Sequence, residues 1–94
     1  MPKPSACARH ILVKTKNEAE KLKQQLDKGT DFGLLAKKHS LCPSKREGGN
    51  LGEFRQGDMV KAFDQVVFKK PIQTVHGPIK TSFGYHLIET IYRD

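Results

Sequence analysis

The chain has no tryptophan, and in 94 residues it holds only two tyrosines, two methionines and two cysteines. Cys7 and Cys42 are too few for the disulfide framework of a small secreted scaffold, so each is expected as a free thiol in a reducing compartment. No apolar run approaches the roughly 18 residues that a spanning helix requires. The start, Met1 to Lys14, lacks the apolar h-region of a secretory signal. An uncleaved cytoplasmic protein with no membrane association is the resulting expectation. No GxGxxG pattern occurs, and no glycine-rich loop runs into Lys-Ser or Lys-Thr, so the common nucleotide-binding signatures fail. Acidic residues are in the minority, 10 against 17 basic, for a formal net charge of +7. That balance raises nucleic acid as a rival partner. The basic groups are scattered, however, as Lys14/Lys16, Lys37/Lys38, Lys45/Arg46 and Lys69/Lys70. No basic stripe with interleaved aromatics and no helix-turn-helix or zinc-finger spacing joins them, so solubility explains them more simply and nucleic acid is not expected.

What is present suits one globular domain spanning residues 1–94. Apolar residues make up 36% and charged residues 29%, too apolar for a disordered chain and too polar for a membrane one. Ala6 to Val13 ends in the β-rich Ile11-Leu12-Val13 and reads as a first strand carrying His10. Thr15 with Glu18 forms a capping box, after which Ala19, Leu22 and Leu26 share a helical face as far as Gly29. Asp31 caps a second helix with Phe32, Leu35 and Ala36 inward, ending before Pro43. Gly48 to Phe54 reads as a short glycine-hinged strand. Asp58 is expected to cap a third helix, with Ala62, Phe63, Val66 and Val67 on its apolar face, closing at Lys69-Lys70-Pro71. Gly77 to Lys80 and Gly84 to Tyr92 read as a hairpin joined by Thr81-Ser82-Phe83. The last strand is apolar on both faces, which predicts a central position. This order of elements gives an α+β domain.

Set in order, Arg9-His10-Ile11-Leu12-Val13, Cys42 after a short helix, Gly48-Gly49-Asn50-Leu51-Gly52-Glu53-Phe54, the run Gln56 to Phe63, and Phe83-Gly84-Tyr85-His86-Leu87-Ile88 resemble the signature of the parvulin peptidyl-prolyl cis/trans isomerases. Each motif alone is weak, but five in sequence are specific, and together they cover nearly the whole chain. The resemblance is nearest to the short bacterial type, PpiC or rotamase C. The family's glycine motif usually carries Asp where this chain has Asn50, which we read as a turn variation.

The resemblance implies a four-stranded antiparallel sheet surrounded by about four helices, in an FKBP-like topology, with the site on the concave face of the sheet. It implies rotation about X-Pro bonds in proline-containing polypeptides and unfolded chains, by a cytoplasmic monomer with no metal and no cofactor. It places His10 and His86 side by side on central strands, with Cys42 and Thr81 beside them as the catalytic set. Leu51, Met59, Phe63 and Phe83 then surround the proline. A non-catalytic proline-peptide-binding or chaperone module is the alternative. Members that demand a phosphorylated residue before proline carry an Arg-rich insertion after the first strand. Lys14 to Glu18 has no Arg, so no phosphate requirement is expected.

The residue types fit this chemistry. Rotation breaks amide resonance against a barrier of about 18–20 kcal/mol. Twisting localises the nitrogen lone pair and reduces charge on the carbonyl oxygen, so an apolar, water-excluding wall favours the transition state. Met59, Phe63 and Leu51 can supply such walls, although each also suits an ordinary core, and Phe83 at a bend also suits a simple packing staple. Two imidazoles can pass a hydrogen bond from ring to ring, with Thr81 at the end of the chain, either to set the site's polarity or to fix the sheet. Cys42 is open to three roles, a nucleophile, a thiol acting through its field on the carbonyl, or a pocket wall, of which bond rotation needs no covalent step. Zinc on Cys7, His10, Cys42 and His86 is disfavoured, because residues 7 and 10 fall on opposite strand faces. Cys7 is assigned to packing, and His39 and His76 to surface turns.

Overall fold

In the computed structural model, which describes residues 4–94, the chain runs β1 (Ser5–Val13), α1 (Lys16–Asp27), α2 (Phe32–His39), a 3-10 helix (Pro43–Glu47), β2 (Asn50–Arg55), α3 (Lys61–Lys69), β3 (Val75–Thr81) and β4 (Gly84–Arg93). The strands form one antiparallel sheet in the order β2-β1-β4-β3, so the first and last strands are its centre. The apolar faces of β4 require this placement. The expected α+β architecture holds, with the fourth helix a 3-10 helix. Residues 1–3, part of the stretch read for a signal sequence, lie outside the described residues. No helix among the described residues is long and apolar enough to cross a membrane.

Local chemistry sets the helix starts. Thr15 Oγ1 accepts from the Glu18 N–H, and Asp31 Oδ2 accepts from the Leu34 N–H, each satisfying a donor that the first turn leaves free. Asp58 does not cap the third helix. Its carboxylate accepts from the Arg55 N–H and closes a turn after β2, while α3 begins later, at Lys61, with Val60 as a cap that offers no side-chain acceptor. His76 is also displaced from its expected turn: it lies in β3, half-buried, with Nε2 at 2.9 Å from the Pro71 carbonyl. His39 is exposed as the last residue of α2.

Strand alternation divides the apolar side chains between the two faces of the sheet. Ile11, Val13 and Leu87 pack with Ala19 and Leu22 of α1 and Phe32, Leu35 and Ala36 of α2. Ala6, Ala8 and Ile88 pack with Phe54 and with Phe63, Val66 and Val67 of α3. On both central strands the even-numbered positions therefore face α3. His10 and His86 are even-numbered, so the alternation that builds the core also puts both rings on the α3 face. Arg9 and Glu89 fall on the other face, where they form an ion pair at 2.6 Å with the guanidinium over the Phe32 ring, 4.5 Å from its centre.

Candidate active site

β1 pairs with β4 so that His10 lies opposite Ile88 and Leu12 opposite His86. The histidines are thus diagonal neighbours on one face, close enough for ring contact. Their planes lie 18° from parallel with centres 5.2 Å apart, and the two Nδ1 atoms are 3.0 Å apart. One Nδ1–H donates to the other Nδ1. The chain continues from His86 Nε2 to Thr81 Oγ1 at 2.7 Å, and Thr81 Oγ1 also accepts from the Phe83 N–H at 3.2 Å. His10 Nε2 is buried and has no hydrogen-bond partner among the described residues.

Burial pushes the His10 imidazole down to about pH 4, and the neighbouring His86 adds to the effect. Burial also lowers His86. Both rings are therefore neutral at pH 7, so that one Nδ1 carries the proton and the other accepts it.

Above this pair opens a cavity of about 430 Å³, lined almost wholly by carbon. His10, Leu12 and His86 of the central strands form its floor, with Cys42, Leu51, Met59 and Phe63 around them. Leu41, Val60 and Phe83 also line it, yet they stay 53%, 42% and 66% exposed, as an apolar rim. Phe63 is 3% exposed and stands edge-on to both imidazoles, with ring centres 5.5 and 5.6 Å away. No lining residue carries a formal charge near neutral pH.

The structure thus brings together seven of the eight candidate residues around one cavity, His10, Cys42, Leu51, Met59, Phe63, Phe83 and His86. Thr81 stands behind it and reaches the site through His86. Sequence inspection missed Leu12, Leu41, Pro43 and Val60 in the lining. Leu12 could have been found, since it shares the even-numbered face of β1 with His10. Leu41 and Pro43 depend on how Ser40 is anchored. Its buried hydroxyl accepts from both the Leu12 and Cys42 N–H groups, and the Leu41 N–H donates to the Leu12 carbonyl at 2.8 Å. That clamp carries Leu41, Cys42 and Pro43 to the rim. Nothing local in the sequence marks Ser40.

The two thiols are unpaired. Cys7 Sγ lies 3.8 Å from Asn50 Oδ1, away from the histidines, and the same Asn50 oxygen closes a turn by accepting from the Gly52 N–H. Among the described residues no three His, Cys, Asp or Glu side chains are placed to hold a metal ion.

Residues 7–91 match the profile of the rotamase family described as the PPIC-type PPIASE domain. The foldase protein PrsA of a Geobacillus species, strain WCH70, is 48% identical over 88 residues, which are 93% of this chain and 32% of that protein. The chain therefore spans about a third of the length of the curated relatives it first matches. A crystal structure of PrsA from Bacillus anthracis superposes with a TM-score of 0.94 at 39% identity, covering 98% of this chain and 43% of that one. The solution structure of NmPin, the parvulin of Nitrosopumilus maritimus, gives a TM-score of 0.85 at 40% identity and covers 98% of this chain and 100% of that one.

Proposed function

The chain belongs to the PPIC-type peptidyl-prolyl isomerase family, and from that premise we propose that it catalyses cis/trans rotation about X-Pro bonds by non-covalent stabilisation of the twisted amide. The observation that carries this reading is the apolar cavity of about 430 Å³ floored by a neutral histidine pair. Proline fits a carbon-lined slot, and the flat ring of Phe63 and the flexible Met59 suit the pyrrolidine. A planar X-Pro amide entering the slot loses water from its polar carbonyl. The twisted amide, with less charge on oxygen, loses less. Each 1.36 kcal/mol of that preference accelerates rotation tenfold, and only preference for the twisted over the planar form counts.

In this reading Met59, Phe63, Leu51 and Phe83 hold the proline and its neighbours. Cys42 presents a thiol to the carbonyl without forming a bond to carbon. His10, His86 and Thr81 form the polar chain that keeps the floor neutral and rigid. The substrates are proline-containing segments of polypeptides and unfolded chains, and PrsA relatives named as foldases support that class. The two unpaired thiols favour a reducing compartment, and a cytoplasmic, monomeric protein is part of the proposal. Cell fractionation and sedimentation test those two points.

The deciding experiment is the rate of cis-to-trans conversion of a short unphosphorylated X-Pro peptide, read by magnetisation exchange with and without the protein. Acceleration is expected at catalytic concentrations. Binding of the peptide without acceleration would instead identify a non-catalytic proline-binding module.

A further inference from the structure

Each histidine of the pair has its backbone carbonyl pressed against a glycine. A Cβ placed on Gly49 would overlap the His10 carbonyl oxygen, and one on Gly77 would lie 2.5 Å from that of His86. Gly49 directly precedes β2, which flanks β1, while Gly77 lies in β3, which flanks β4. The two central strands are thus bracketed from their outer sides, each at its histidine.

Neither position has slack. Gly49 is buried, and its carbonyl accepts the His10 N–H at 3.0 Å. A methyl group there would also meet the Ala36 Cβ and the Phe32 ring, each at 3.3 Å, so it would wedge β1 away from α2. At Gly77 a methyl would further meet the Leu87 side chain at 3.1 Å and the Ile79 nitrogen at 3.3 Å. In both places the atom struck hardest is strand backbone, which cannot swing aside as a flexible side chain would. The φ angles of +88° and +134° also belong to the region where glycine carries no steric penalty.

The histidine contact is what such a shift would disturb. His10 and His86 are diagonal across the ladder, so their Nδ1 separation of 3.0 Å follows from the relative position of the two strand backbones. A hydrogen bond stretched to about 3.6 Å is lost. We infer that Gly49 and Gly77 are positioning residues that hold the His10 and His86 backbones at the separation where the rings share one proton. The kinetic consequence rests on the isomerase reading above, whereas the geometric one does not.

The test uses Gly49→Ala and Gly77→Ala, with Gly29→Ala as control. Gly29 has a φ of +100° but nothing within 4 Å of an added Cβ, so it carries the backbone strain without the contact. Imidazole nitrogen shifts are measured by 15N NMR near pH 7, together with kcat and KM. Altered Nδ1 shifts are expected in both variants, with kcat lowered about tenfold to a hundredfold and KM little changed. Gly29→Ala is expected to lose stability while keeping wild-type shifts and kcat. Folded Gly49→Ala and Gly77→Ala proteins with wild-type shifts would overturn the inference. Variants unfolded at 25 °C are measured cold in trimethylamine N-oxide, which favours the compact state. If both still fail to fold while Gly29→Ala folds, the two glycines serve folding and the positioning role is rejected. Wild-type protein that shows the shared-proton signature without turnover would sink the isomerase reading and leave the positioning role intact.

Discussion

His10 and His86 share a single hydrogen bond between Nδ1 atoms 3.0 Å apart, in rings buried to 5% and 4% exposure. Two neutral imidazoles satisfy that geometry with one bridging proton. A second proton between the two Nδ1 atoms would set two donors against each other, and a proton on the free His10 Nε2 would bury a charge.

The pH dependence follows with a definite sign. His10 titrates near 4 in the folded protein and near 6.5 when unfolded, so the unfolded state binds its proton first as pH falls. Its contribution is fully present above about pH 6.5 and is lost progressively down to about pH 4, on the order of 3 kcal/mol in all. Urea unfolding at steps between pH 7.5 and 4 should show this slope, and His10→Asn should flatten it. An unchanged slope in that variant would mean that other groups dominate.

Met59 and Phe63 should separate under truncation. Phe63 lines the cavity but is also buried among Phe54, Val66, Val67 and Ile88, so Phe63→Ala should cost about 3–5 kcal/mol of stability. That is a large share of the roughly 5–15 kcal/mol of a typical domain. Met59 is only half-buried, so Met59→Ala should fold near normally and lose about tenfold in kcat/KM. Thermal melts paired with exchange kinetics check both. Full activity in folded Met59→Ala would reduce Met59 to packing.

Cys42→Ser should keep appreciable activity, because a hydroxyl preserves size and hydrogen bonding while being a poorer nucleophile. The thiol lines the cavity only half-buried, tied in place through its N–H to Ser40. Mass spectrometry of the wild-type protein incubated with substrate peptide should find no covalent peptide adduct. An inactive but folded serine variant together with a trapped adduct would restore the nucleophile.

No phosphate should be required before proline. The connection from β1 to α1 is only Lys14 and Thr15, too short for an arginine cluster, and the cavity offers no charged lining residue. The exposed rim of Leu41, Val60 and Phe83 should instead favour an apolar residue beside the proline. Matched Leu-Pro, Ser-Pro, phosphoSer-Pro and Glu-Pro peptides should rank with Leu-Pro first at moderate ionic strength. Any preference for acidic peptides from the +7 charge should fade with salt. A phosphopeptide advantage of about a hundredfold that survives in salt, roughly 2.7 kcal/mol, would contradict this.

Features that depend on residues three or four apart were legible in the chain. The Thr15 and Asp31 caps, the inward faces of all three α-helices, and the hairpin through Thr81-Ser82-Phe83 each rest on local donors, acceptors and periodicity. Alternation alone also placed Cys7 and His10 on opposite faces of β1. The five motifs supplied the family, and with it the eight candidate residues, before any contact was known.

Tertiary structure decided the rest, because the contacts involved join residues far apart in sequence. The histidines are 76 positions apart, and they meet only because β1 and β4 pair at the centre of the sheet in one register. A slip by one residue would turn either ring to the other face. Asp58 has the sequence features of a helix cap but closes a turn, since the chain leaves β2 at Arg55 and puts that N–H within its reach. Ser40 reads as an ordinary polar residue until Leu12 and Cys42 both offer it an N–H, and Gly49 reads as a flexible hinge until its α-carbon closes on the His10 carbonyl. Local propensity specified the pieces, while the long-range pairing of strands specified which side chains share a site.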